Sequence, residues 1–166
     1  KMISSDFVVG DEEFLRTKIS SSAQLPKTDK EKFLASLDKN GRLLFESLFK
    51  FAEQEKLIFH WGSKGFSLNK TFTNGFVGLC FGYPPNSVYK QSIYSRFEEI
   101  NKKINNAEAV IDFYKSELEK FGKFEPAKSN LKWVINKEIK QAEIENYLDI
   151  LKRVIEKIQA EGLKNE

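Results

Sequence analysis

The sequence predicts an α+β fold: an N-terminal helical pair, a three-stranded antiparallel β-meander, and a long C-terminal antiparallel helical hairpin with coiled-coil-like seams. Three observations predict it. Apolar residues recur at helical spacing from Leu44 to Ala52. Between Lys56 and Phe97 lies a block without a single Asp or Glu, rich in aromatics and glycine. From Ile93 onward, two segments carry apolar residues at alternating steps of four and three, the spacing of a helical seam.

Residues 1–27 read as an irregular arm with one short helix near Asp11–Lys18, and Ser20-Ser21-Ser22 before Pro26 reads as a linker. Thr28-Asp29-Lys30-Glu31 has the form of a capping box, a side-chain oxygen with Glu three residues later. It opens a short helix that turns Phe33, Leu34 and Leu37 inward. Lys39-Asn40-Gly41 is expected to break it. A second helix, from about Arg42 to Lys56, buries a stripe of Leu44, Phe45, Leu48, Phe49 and Ala52.

Three strands are expected next. Leu57–Trp61 turns through Gly62-Ser63-Lys64-Gly65 into Phe66–Phe72. There Phe66, Leu68 and Phe72 share one face, and Ser67, Asn69 and Thr71 the other. Asn74-Gly75 is the dipeptide favoured in a two-residue hairpin, leading into Phe76–Tyr83. Pro84-Pro85 ends that strand, because proline offers no ladder donor.

Ile93, Phe97, Ile100, Ile104, Ala107, Ile111, Tyr114, Leu118 and Phe121 keep one seam, which predicts a single helix from about Ser87 to Phe121, stopped by Gly122. Ile144, Leu148, Leu151, Ile155 and Ile158 predict its antiparallel partner. Leu131, Trp133, Val134 and Ile135 miss that phase and are read as helix in preference to strand. The domain reading is an arm over 1–27, a helix-plus-meander core over 28–97 and the helical hairpin over 98–166.

Composition narrows the chemistry. Charged residues make up 31% of the chain, above the usual quarter, which fits long exposed helices. The net charge of +3 is too small for a strongly basic nucleic-acid binder. The excess lies around the acid-free block: residues 1–95 carry 13 Lys and Arg against 10 Asp and Glu, and residues 96–166 carry 14 of each. One cysteine, Cys80, allows no intramolecular disulfide, so a reducing, cytoplasmic compartment is expected. No apolar run approaches a membrane span, and no membrane partner is expected. Lys1 precedes Met2, which reads as a tag remnant or a piece of a longer polypeptide.

The acid-free block is the candidate site. It holds ten aromatics, the only histidine (His60) and the cations Lys56, Lys64, Lys70, Lys90 and Arg96. It can supply ring faces, hydrogen-bond donors and a mild positive field. One His and one Cys cannot close a zinc site, and the block has no carboxylate for magnesium, so neither metal nor cofactor is expected. Gly62-Ser63-Lys64-Gly65 could hold a phosphate but lacks the spacing of a nucleotide P-loop. Gly65-Phe66-Ser67-Leu68-Asn69 fails as a hydrolase elbow at its last position. His60 has no acid within four residues on either side to orient it as a base.

The resulting expectation is a non-catalytic binding module, an accessory domain or subunit of a larger prokaryotic-type assembly. Its ligand or partner contacts are assigned to His60, Trp61, Lys64, Tyr83, Asn86 and Lys90. Its partner is expected to be a protein, or a second copy met through the helical hairpin; a phosphate-bearing ligand is the further candidate. Two alternatives accompany it: a small enzyme using His60 with Lys64 or Tyr83, and a nucleic-acid-binding domain that stacks bases on the sheet aromatics.

Overall fold

Two aspartates open the first two helices. In the computed structural model, which describes residues 26–164, α1 spans Lys30–Ser36 and α2 spans Lys39–Gln54. Asp29 caps α1 by accepting the Lys32 backbone N–H at 2.8 Å, so the cap falls one residue after Thr28. Asp38 caps α2 by accepting the Gly41 N–H at 2.9 Å. Lys39-Asn40-Gly41, expected as a breaker, is therefore the first turn of α2; the break is Leu37-Asp38. Gly41 is required there because a Cβ would overlap the Gln91 side chain. The helix expected near Asp11–Lys18 and the Ser20–Ser22 linker lie outside the described residues.

Among the described residues the sheet has six strands, not three. They are β1 (Ile58–Trp61), β2 (Phe66–Phe72), β3 (Gly75–Tyr83), β4 (Ser92–Ser95), β5 (Glu125–Ala127) and β6 (Asn130–Val134). Their order is β1-β2-β3-β4-β6-β5, with every pair antiparallel. The β1–β2–β3 meander is thus half of a larger sheet. Leu131–Ile135 supplies β6 in place of the expected helical turn. The β2–β3 connection is Thr73-Asn74, since Phe72 pairs with Gly75; Gly75 starts the strand instead of sitting in the turn.

The long helix expected over Ser87–Phe121 does not exist as one element. Its first part is loop and β4, followed by α3 (Phe97–Lys103) and α4 (Ala107–Phe121). Ile104 pairs with Leu163 in an isolated bridge, and Asn106 takes a left-handed conformation with φ 52°. The Asn105 amide donates to the Glu161 and Leu163 carbonyls, both at 3.1 Å, at the end of α5 (Gln141–Glu161). The Asn105 backbone N–H donates to the Gly162 carbonyl at 2.9 Å, whereas a continuous helix would direct it to the carbonyl four residues back. The expected hairpin of two long helices is overturned; a 15-residue α4 lies against a 21-residue α5.

A bulge sets the sheet's two faces. Leu68 pairs with Cys80, but Asn69 pairs with Gly78, which leaves Leu79 as an extra residue in β3. Leu79 is fully buried, and its carbonyl accepts the Tyr114 hydroxyl of α4 at 3.1 Å. One face of the sheet carries Phe59, Trp61, Phe66, Leu68, Cys80, Ile93, Leu131 and Trp133. It is covered by α1 and α2 through Phe33, Phe45 and Phe49, and by α4 and α5 through Tyr114, Phe121 and Tyr147. The seam residues Ile144, Leu151, Ile155 and Ile158 are buried in this core. Gly82 lies between Phe66 and Ile93 in the pairing, and the Phe66 and Phe45 rings fill the place of its missing side chain.

The opposite face carries one row across all six strands: His60, Ser67, Phe81, Tyr94, Lys132 and Glu125. Helices α1, α2, α4 and α5 do not cover it. Helix α3 continues beside β3 where β4 ends, and the Glu99 carboxylate accepts the Gly78 N–H at 3.4 Å. No helix among the described residues is long and apolar enough to cross a membrane.

Two measurements test this frame. The buried Gln91 amide donates to Asp38 Oδ1 and to the Ile135 carbonyl, each at 2.9 Å, and accepts the Asp38 N–H at 3.2 Å. Gln91→Ala leaves those groups unsatisfied and should cost about 1–3 kcal/mol in urea unfolding; an unchanged midpoint would refute the tie. The second measurement is pH dependence. Burial pushes the Glu99 carboxyl up, but the Lys103 hydrogen bond, the Arg96 and Lys103 charges and the Gly78 N–H together hold it below the ordinary carboxylate value. Its stabilising contribution is therefore present above that ordinary value and lost as pH falls through the depressed one. Glu99→Gln should flatten the acid limb of the stability curve, and an identical limb in the variant would contradict it.

Candidate functional site

The β1–β2 turn, Gly62 to Gly65, is closed by Gly62 N–H donating to the Gly65 carbonyl at 2.7 Å. Gly65 lies so close to the Gly82 carbonyl of β3 that a Cβ there would overlap it, which draws the turn over the sheet end. A pocket of about 380 Å³ opens at that point. It is lined by β1 and the turn from His60 to Gly65, by Phe66 and Ser67 of β2, by Phe81 and Tyr83 of β3, and by Tyr89 of the following loop. Among the described residues, no Asp or Glu lines it.

Its wall is an aromatic stack resting on the open face. Tyr89 lies 4.4 Å from Tyr83, centroid to centroid, with the rings inclined by 31°. Tyr94 meets both edge-on, at 5.5 Å and 5.8 Å. Tyr89 is 37% exposed, and the Lys64 ammonium sits 5.4 Å from its ring centroid. Burial, reinforced by Tyr89 and Tyr94, pushes the Tyr83 hydroxyl up to about 12, so it stays protonated and able to donate.

Of the residues assigned from sequence, His60, Trp61, Lys64 and Tyr83 meet at this pocket. They play different parts. The Trp61 ring packs toward the covered face, 5.3 Å from Phe66 and 5.7 Å from Phe33. His60 points to the open face, as alternation from Phe59 and Trp61 requires, and meets Phe76 edge-on at 4.8 Å. Among the described residues no carboxylate lies within hydrogen-bond distance of its imidazole. Asn86 is exposed in the loop after Pro84-Pro85 and does not line the pocket. Lys90 lines a larger cavity, about 950 Å³, on the other side of Tyr89. That cavity mixes both signs of charge, with Lys123, Lys132 and Lys137 facing Glu125, Glu138 and Glu143.

Tyr89, Phe81 and Ser67 were not assigned from sequence. Ser67 and Phe81 are paired neighbours of His60 across the strands, so the alternation of β1 to β3 contains the signal. Tyr89 was placed at the start of a helix, where its ring would have had no defined relation to Tyr83.

The remaining reactive groups are spent on structure. Cys80 is fully buried beside Tyr147, and burial pushes its thiol up to about 12, which removes the thiolate at neutral pH. Among the described residues no group of three or more His, Cys, Asp or Glu is placed to hold a metal ion. The pocket therefore offers hydroxyls of Ser63, Ser67 and Tyr83, one ammonium, one imidazole and exposed ring surface. Comparison with protein-family models, curated proteins and solved structures found no match for this chain.

Proposed function

We propose that this chain is a non-catalytic binding module, and that the open sheet face around the β1–β2 turn is the surface it presents to an anionic ligand or partner. The observation that carries this reading is the pocket lining: ring faces, hydroxyl donors and Lys64, without a carboxylate among the described residues. A negatively charged group meets no like charge there, and a planar group meets Tyr89. The chemistry for turnover is harder to assemble. His60 packs edge-on to Phe76, whereas a general base is oriented by a hydrogen-bonding partner. The pocket volume lies at the small end of the range for small-molecule sites, about 300–1,000 Å³.

The test is a fragment screen on the uniformly ¹⁵N-labelled chain, using small aromatic anions against matched neutral and cationic compounds. Aromatic anions should shift amides between His60 and Ser67 and between Phe81 and Tyr89, and Lys64→Glu should abolish the response with the rest of the spectrum unchanged. Shifts confined to α2, α4 or α5, or a preference for cations, would overturn the proposal.

A further inference from the structure

We propose that the pocket at the β1–β2 turn is a nucleotide site, with a base stacked on Tyr89 and a phosphate held at Lys64 and the turn. The inference rests on the binding reading above and names its ligand class. Four observations carry it.

The first is adjacency. The Lys64 ammonium lies over the Tyr89 ring, 5.4 Å from its centre, and the ring is 37% exposed, so a positive charge and accessible ring surface meet at one place. A ligand that satisfies both has a planar ring and an anionic group a short link away. The second is rigidity. Tyr89 lies against Tyr83, and Tyr94 buttresses both edges, so the stacking surface is formed before a ligand arrives. The third is the backbone of the turn. The Ser63 and Lys64 N–H groups have no acceptor among the described residues, which leaves donors beside the ammonium for phosphate oxygens. The fourth is the absence of any Asp or Glu from the lining among the described residues, together with a volume of about 380 Å³, which suits one nucleotide more closely than a linked pair.

Roles divide accordingly. Tyr89 and Tyr83 take the base by stacking, which tolerates any base because each has a π-face. Lys64 and the turn take the phosphate. The Ser67 and Tyr83 hydroxyls lie in the same lining and are available to sugar or base edges. The ligand could be a free mononucleotide or one unpaired residue of a single strand; both bring the same base-and-phosphate chemistry.

The experiment titrates the full 166-residue chain with adenosine 5′-monophosphate, adenosine, inorganic phosphate and an oligo-adenylate octamer, following amide shifts at constant ionic strength. The monophosphate should shift the His60–Ser67 and Phe81–Tyr89 amides and bind at least about tenfold tighter than adenosine or phosphate alone. Lys64→Gln should weaken the monophosphate about tenfold while leaving adenosine unchanged. Tyr89→Ala should weaken both, and Tyr89→Phe should restore them. Both side chains are exposed, and an unchanged amide spectrum elsewhere confirms that each variant folds. Equal affinity per nucleotide for octamer and monophosphate supports the free nucleotide as source; an octamer binding more than about tenfold tighter, with strong salt dependence, supports the strand. The proposal is overturned if the monophosphate leaves these amides unmoved, or if inorganic phosphate binds equally well. If aromatic anions still map to the pocket in the fragment screen, only the nucleotide assignment falls; if they too are silent, the binding reading falls with it.

Discussion

Gln91 fastens three parts of the molecule that are far apart in the chain. Its side chain joins the Asp38 cap of α2 to the carbonyl of Ile135 after β6, and its own carbonyl accepts the Ile135 N–H at 2.8 Å. It sits immediately before β4, the strand that bridges the β1–β2–β3 meander to β6 and β5. The Asp38 carboxyl is held below its ordinary value first by the Gly41 N–H and then by Gln91. Anchoring this residue has a second effect. The loop from Pro84 to Lys90 is pinned at both ends, by β3 and by Gln91, and Tyr89 is therefore delivered onto Tyr83.

The acid-free block follows from this placement. Strands β2 to β4 are interior strands of the sheet, and their open-face side chains Ser67, Phe81, Tyr83 and Tyr94 are half-buried, whereas β1 is an edge strand on which His60 is exposed. A carboxylate on the interior strands would lose water without gaining a partner. The first acids after the block, Glu98 and Glu99, show what pairing requires. Glu99 is 8% exposed and is met by Lys103 at 2.7 Å, Arg96 at 3.4 Å and the Gly78 N–H. It replaces the backbone acceptor that β4 would have supplied had it continued along β3, so the sheet edge is closed by a side chain where the strand stops.

The parts of the fold that were legible in sequence are those whose period is long enough to be unambiguous. The stripe of α2 and the alternation of β2 extend over several repeats. Strand β4 has four residues, too few to display a period of two, and Ile93 falls by coincidence four residues before Phe97, so a strand and a helix shared one apparent seam. The break at Asn105-Asn106 is similarly silent, because its cause is a contact with Glu161 and Leu163 more than fifty residues away. Strand β6 does carry a local signal, because Leu131, Trp133 and Ile135 alternate with Lys132 and Val134, and the first three are buried while Lys132 is not. The site was legible to the extent that it lies on a hairpin. His60, Trp61 and Lys64 are local to one turn, and Tyr83 is reached by counting across paired strands. Asn86, Lys90 and Tyr89 depend on the path of a loop fixed by Gln91, which no local pattern encodes.

Charge is distributed unevenly along the open face. Three cations lie over three rings: Lys103 over Phe76 at 4.0 Å, Arg96 over Phe81 at 4.3 Å and Lys64 over Tyr89 at 5.4 Å. The first two are already committed. Lys103 pairs with Glu99 and donates to the Phe76 carbonyl at 3.1 Å, and Arg96 pairs with both Glu98 and Glu99. Lys132, further along the same row, faces Glu125 at 3.8 Å. Lys64 has no carboxylate partner among the described residues. An approaching anion would have to displace an ion pair to use any of the others, whereas Lys64 contacts only the Tyr89 ring among the described residues and holds no carboxylate. The aromatic face extends along β3, but among the described residues its β1–β2 end alone combines exposed ring surface, the Ser63 and Lys64 N–H donors and a cation without a carboxylate partner.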